Sequence, residues 1–406
     1  MVNDLVVAQH AEEAAFLWTM RDRAIAEPHY ALKDLATIDE RVEAHLDGLS
    51  TAGRRGWELC KANLEHIGPG SVFALGVLAF RSGDRTCMRD ALFASCASSE
   101  LPSGLVSALG WLDPEQAMPW MEMLLRASTP EHQQIGIAAH AVHRRDPGPA
   151  LTAAARHSHP GLRARALRAI GELRRGDLTD ELRRRLRDAD PECRFWSAWS
   201  LSLMGETDGI ATLKESVERQ DDRKLVALDV VLRAMQPRQA RHWVKALANE
   251  PALDRLAVVA AGIVGDPASV GWLIHKMEVP ATARLAGEAF SLITGVNLAL
   301  HDLVGEPADG PEDEPWSTYE ANLPTPAPAL VSAWWRKNGG ELVSGGRYLC
   351  GRPVGREAVM QVLVHGMQRQ RRAAAIEWAC QDPRAPLYEV RARAQRQQRH
   401  AAAWTS

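Results

Sequence analysis

Apolar residues recur every three to four positions along almost the whole chain, and not every two, which predicts helix after helix and few strands. Near the start, Phe16, Leu17, Met20 and Ile25 mark one helical face, and Leu32, Leu35, Ile38, Val42 and Leu46 mark another. In the centre the pattern becomes a repeat. HPGLRARALRAIGEL sets Ala166, Ala169, Ile170 and Leu173 at offsets +3, +6, +7 and +10 from Arg163, and DPECRFWSAWSLSLMG sets Ser197, Ser200, Leu201 and Met204 at the same offsets from Arg194. Further copies start at Lys224 (Ala227, Val230, Val231, Ala234), Arg255 (Val258, Ala261, Gly262) and Arg284 (Gly287, Phe290). The starting cations are spaced 31, 30, 31 and 29 residues apart, and weaker copies run upstream through Gln133, SALGWL (107–112) and FALGVL (73–78).

A period near 30 residues with two helical patterns per unit is the signature of an all-α solenoid. The +3, +6, +7, +10 set lies along one helix face, and small residues at +3 and +6 allow a partner helix to approach closely. The HP (159–160) and DP (190–191) pairs break one helix and start the next. The ladder cation then falls in the first helical turn, where it opposes the helix dipole. Its expected partner is an Asp of a neighbouring turn, with Asp190, Asp221 and Asp254 available, so Arg163, Arg194, Lys224, Arg255 and Arg284 read as structural residues.

These units resemble HEAT-type repeats. RARALRAIGELRRGDL, RFWSAWSLSLMG, AGIVGDPASVGWLIHKM, RLAGEAFSLITGVNLALHDL and the tail GGRYLCGRP…GMQRQRRAAAIEWA…PLYEVRARAQRQQR resemble, in that order, a bacterial family of HEAT-repeat proteins encoded in type VI secretion gene clusters. A thinner likeness extends to LVSALGWL and to HLDGL (45–49). The resemblance implies an effector-associated cytoplasmic protein, with immunity to a toxin as the favoured role. In that family an LPWP-like stretch precedes the Trp pair. Here the stretch is LPTPAPALVSAWW, which keeps Trp334 and Trp335 and lacks the upstream aromatic.

Residues 1–67 read as an N-terminal helical cap, 68–304 as the repeat solenoid, 305–328 as a linker and 329–406 as a C-terminal helical module. The linker carries six prolines, six acids and no Lys or Arg, a composition that cannot build a core. SGGRYLCGRPVG in the last module suggests a small hairpin. Residues 356–379 read as one helix whose apolar stripe is Val359, Val362, Leu363, Met367, Ala374 and Trp378. Arg369 and Arg372 point away from that stripe and Arg371 lies at its border, so this basic run reads as a solvated back, with docking of an acidic partner surface or of the chain's own 305–328 linker as the alternatives.

Composition narrows function. The chain is 46% hydrophobic and 24% charged, as a folded domain should be. Its net charge of −3 gives no long-range pull on nucleic acid. No apolar run approaches the ~20 residues that span a bilayer, and the N-terminus is acidic where a signal peptide is basic. A cytoplasmic protein without membrane contact is therefore expected. Cys60, Cys87, Cys96, Cys193, Cys350 and Cys380 form no CxxC pair and read as ordinary buried thiols. His140 and His143 stand one turn apart, and His157 and His159 flank Ser158, but no third ligand stands at a fixed offset, and His140 holds a packing position of the repeat. No metal or other cofactor is expected. GxSxG, Walker A and a strand-borne GxGxxG are absent.

These features favour a non-enzymatic protein binder. With the resemblance, the concrete form is an immunity protein that holds a type VI effector; an adaptor that loads an effector is second, and a HEAT-repeat DNA-binding enzyme third. No basic stripe beyond the ladder is visible, which counts against the third. Candidate partner-binding residues are the acidic linker positions Asp309, Glu312, Asp313 and Glu314 with Trp316 and Tyr319, and, if exposed, Trp196 and Trp199.

Overall fold

The computed structural model describes residues 3–66, 68–306 and 318–405. The fold is an all-α solenoid of paired helices that divides into two compact units. The first comprises Met1–Ala26, Tyr30–Ser200 and Glu389–Ser406, and the second Glu27–His29 and Leu201–Tyr388. The division falls inside a helix of the repeat array, not at the acidic linker.

The first unit contains α1 (Asp4–Ala24), α2 (Leu32–Thr51), α3 (Gly53–Ala62), α4 (Pro69–Ser82), α5 (Arg85–Ser95), α6 (Pro102–Trp111), α7 (Pro114–Leu125), α8 (Pro130–Val142), α9 (Pro149–Ala154), α10 (Pro160–Leu173), α11 (Thr179–Arg185) and most of α12 (Pro191–Leu203). The second holds α13 (Ile210–Glu218), α14 (Lys224–Ala234), α15 (Pro237–Ala248), α16 (Asp254–Val264), α17 (Val270–Lys276) and α18 (Pro280–Thr294). It continues with α19 (Pro328–Asn338), the two-residue strands β1 (Tyr348–Leu349) and β2 (Arg352–Pro353), α20 (Arg356–His365) and α21 (Gln368–Gln381). The last helix, α22 (Ala394–Thr405), returns to the first unit.

Helix starts follow the chemistry of the turns. Proline opens α10, α12, α15 and α18, where its missing N–H costs nothing. Asp190 caps α12 by accepting the Cys193 N–H at 2.9 Å. The repeat offsets are the core: Ala166, Ala169, Ile170, Ser197, Ser200, Leu201, Ala227, Val230 and Val231 are all 0% exposed. Ser200 at +6 also donates its hydroxyl to the Leu167 carbonyl on α10, at 2.7 Å. A small side chain here lets two backbones approach while its polar atom stays satisfied.

Two expectations are corrected. Phe16 is 63% exposed although Leu17 is fully buried, so the first N-terminal face is narrower than drawn. The helix read over 356–379 is two helices. It stops at His365, the chain turns through Gly366, and α21 restarts with the Met367 N–H donating to the Gln370 side chain at 3.0 Å.

Candidate partner interface

The ladder cations do a job that sequence could not show. Arg163 donates one guanidinium nitrogen to the carbonyls of His157 and Ser158, at 2.7 and 3.0 Å. Arg194 does the same to Asp188 and Ala189, at 2.8 and 2.9 Å. Each cation reaches back five and six residues and ties the preceding turn to its own helix. For Arg163 the partner is an Asp of the next turn, as expected, but it is Asp188 and not Asp190. Arg163 pairs with Asp188 at 2.8 Å, Asp190 is a helix cap, and Asp254 holds Lys276 at 2.7 Å. Lys224 reaches the Gln220 carbonyl at 3.5 Å, and Arg255 pairs with Glu320.

In the second unit the C-terminal residues dock on the C-terminal ends of α14, α16 and α18. The SGGRYLCGRPVG hairpin is present, with Tyr348 opposite Pro353 and Leu349 opposite Arg352. Its two loop residues, Cys350 and Gly351, have φ of 50° and 79°, the left-handed pair that a two-residue hairpin loop needs. The Tyr348 N–H donates to the Gly265 carbonyl at 2.8 Å, the Cys350 N–H to Leu292 at 2.7 Å and the Gly351 N–H to Ile293 at 2.9 Å. Arg347 donates to the Val264 carbonyl at 3.3 Å. These are the carbonyls that helix ends leave without intrahelical partners. Gly265 and Gly295 end α16 and α18 at φ of 72° and 76°, and a Cβ on either would lie 2.2 Å from the Tyr348 oxygen or 2.6 Å from the Cys350 oxygen.

The basic run on α21 is therefore only partly a solvated back: Arg372 is exposed as expected, and the expectation is corrected for Arg369 and Arg371. Arg369 pairs with Glu288 of α18 at 2.8 Å and lies over the Tyr319 ring at 4.2 Å. Arg371 is fully buried and donates to the Leu363 carbonyl at 2.7 Å. Burial pushes its guanidinium down to about 10, with a small opposing pull from Tyr388. Arg372 faces Asp229 of α14 at 3.4 Å. Glu377 receives Arg347 at 2.8 Å and Arg233 at 3.3 Å. Buried or half-buried arginines on one helix are stable because acids and carbonyl ends of its neighbours face them.

In the first unit the chain's last residues repeat this logic. Arg396 donates to the carbonyls of Gly110 and Leu112 at 3.1 and 2.7 Å, at the end of α6. Arg393 lies over the Trp111 ring at 4.7 Å. Arg21 and Asp39 form a buried pair, and Arg21 also donates to the Arg391 and Ala392 carbonyls at 3.0 and 2.9 Å. Asp39 accepts the Ala394 N–H at 2.6 Å. Nearby, Glu172 is fully enclosed. Burial raises its carboxyl, but Arg165, Arg168 and Arg144 outweigh that and hold it near 2.

The partner-binding candidates separate. Asp309, Glu312, Asp313, Glu314 and Trp316 lie outside the described residues. Tyr319 is half-buried and packs on Arg369, and burial and then Glu288 push its hydroxyl well above its ordinary value. The linker's ends meet, with the Gly305 N–H on the Thr325 carbonyl at 2.9 Å and the Ala327 N–H on Leu303 at 2.8 Å. Trp199 is 5% exposed and belongs to the core. Half-buried Trp196 stacks edge-on against it at 5.6 Å and carries Arg168 over its ring at 4.5 Å. Trp334 meets the Phe290 ring at 5.8 Å.

His140 and His143 face backbone carbonyls. His140 Nδ1 lies 2.9 Å from the Gly136 oxygen and His143 Nε2 lies 2.9 Å from the Leu109 oxygen. Burial pushes His143 down to about 4, helped by Arg396. Burial also raises the thiols of Cys60, Cys193 and Cys350 to about 12, which makes them poor nucleophiles.

One cluster was missed. A cavity of about 760 Å³ in the first unit is lined by Arg156, Arg163, Arg184, Arg185 and Arg187 with His157. This is a local cluster within one repeat and not a stripe along the array. The available signal was local charge: residues 144–190 hold twelve arginines and seven acids in a chain of net charge −3.

No helix among the described residues is long and apolar enough to cross a membrane. No curated protein matches the chain. Residues 148–231, which hold the ladder positions Arg163, Arg194 and Lys224, match the family profile for HEAT repeats.

Proposed function

We propose that this chain is a non-enzymatic, cytoplasmic immunity protein that binds a type VI secretion effector and blocks it. The observation that carries the protein-binding part is the HEAT-repeat array, matched over residues 148–231. Stacked helix pairs present a long rigid surface whose common use is to hold another protein. Rigidity favours tight binding because little order is lost on association. The chain's internal ionic groups are spent on the fold itself: Arg163 on Asp188 and two turn carbonyls, Arg165 and Arg168 on Glu172, Arg369 on Glu288. The immunity role rests on the resemblance of RARALRAIGELRRGDL and the tail motifs to proteins encoded beside such effectors.

The experiment is genetic. Deleting the gene in a strain that keeps its effector should cause siblings to poison one another, and restoring the gene in trans should cure them. A healthy deletion strain that no longer secretes the effector would replace immunity with the loading-adaptor reading.

A further inference from the structure

We infer that the arginine-lined cavity between α9 and α11 is a docking groove for a short acidic segment of a partner protein. The inference rests on the protein-binding reading for the kind of occupant, and not on the immunity role.

The groove is built in two tiers. At its floor stand Glu181 and Asp188, each with a side chain 3% exposed. Glu181 is held by Arg156 at 2.9 Å, Arg185 at 3.0 Å and Arg184 at 3.3 Å. Asp188 is held by Arg163 at 2.8 Å and Arg185 at 3.1 Å. Burial raises both carboxyls, and the arginine hydrogen bonds outweigh it and leave both below their ordinary values, so both acids are charged at neutral pH. Five arginines thus surround two carboxylates, an excess of three positive charges. The upper tier is open to solvent: the Arg156 and Arg184 side chains are 54% and 64% exposed, and Arg187 is exposed.

The floor acids fix the guanidiniums of Arg156, Arg163, Arg184 and Arg185 in place. Each guanidinium has five donors in a planar fork, and Arg156, for instance, spends its Nε on Glu181. The outward donors are then held ready for a second layer of carboxylates, at a lower entropic cost than free side chains would incur. The groove already binds two carboxylates of its own chain in this way.

Extent selects the occupant. One repeat further on, 31 residues along, the positions of Arg184, Arg185 and Arg187 are Glu215, Ser216 and Glu218. The basic surface therefore ends at one repeat. A nucleic-acid duplex, with a charge about every 1.7 Å, rewards a continuous basic track, and no Trp, Tyr or Phe lines the described cavity to stack on a base. A few clustered Asp or Glu side chains match the size and charge of the groove.

The test uses the full chain and a fluorescein-labelled octaglutamate peptide, read by anisotropy. The wild type should bind at low ionic strength and more weakly at physiological salt. Arg184→Glu with Arg187→Glu should weaken binding about tenfold or more, with unchanged helical content. Arg187→Glu alone should shift affinity the same way, which decides the matter if the double variant misfolds. Absent binding, or equal affinity in the variants, overturns the proposal. Tighter binding of a DNA duplex of equal charge, lost in the same variants, overturns the acidic-peptide occupant in favour of nucleic acid. Loss of peptide binding with intact effector neutralisation would leave the groove standing and detach it from immunity.

Discussion

Single residues here differ in what their loss exposes. Arg163 faces an Asp188 side chain that is 3% exposed, whereas Arg194 serves two turn carbonyls. Replacing Arg163 by Ala leaves Asp188 with Arg185 as its remaining ion pair and should cost about 3 kcal/mol, while Arg194→Ala should cost about 1 kcal/mol. Urea midpoints of the two variants check this order, and equal midpoints would refute the difference in roles. His143 gives a pH prediction. Its buried ring titrates near 4 when folded, below the ~6.5 of an unfolded His. The unfolded chain therefore takes up the proton first as pH falls. Stability is full above pH ~6.5 and declines toward pH 4, by about 3 kcal/mol for this group. Unfolding free energies across that window should fall less in His143→Gln than in the wild type. The ladder itself was legible, because its offsets recur every 29 to 31 residues. Its partners were not, because carbonyls five and six residues back carry no side-chain signature.

At the scale of elements, the Arg-rich tail is explained by helix ends. The hairpin N–H groups of Tyr348, Cys350 and Gly351, and the guanidiniums of Arg347 and Arg396, fall on carbonyls at the ends of α16, α18 and α6. Gly265 and Gly295 make the hairpin contacts possible. Ala at either position adds about 1–2 kcal/mol of left-handed strain and a clash with the hairpin backbone. Gly265→Ala should therefore speed hydrogen exchange at the Tyr348, Cys350 and Gly351 amides well before global unfolding; unchanged protection would contradict the docking account. The hairpin was readable from SGGRYLCGRPVG, and the helix count at the tail was not. An apolar stripe continued through Gly366 and hid the break, and Arg371 looked peripheral because a single unbroken helix would not bring the Leu363 carbonyl onto its guanidinium. The basic groove was hidden because its arginines and acids meet across a distance in sequence. Arg156 and Arg163 stand about 25 residues from the acids that gather them.

At the scale of the molecule, a helical-repeat fold followed from hydrophobic period alone, since each repeat must bury one face against its neighbours. Function is carried by surfaces, which periodicity does not describe, and Trp199 illustrates this: it was a candidate anchor, and it is packed inside. The central claim is that the repeat protein neutralises an effector by holding it, without turnover. The most direct measurement titrates the purified chain into the purified effector and follows effector activity. The account predicts a linear loss of activity with a sharp break at a fixed molar ratio, and full recovery of intact effector after the complex is denatured and separated. Inactivation of many effector molecules by one copy of the chain, or an effector that stays active inside the complex, would contradict it.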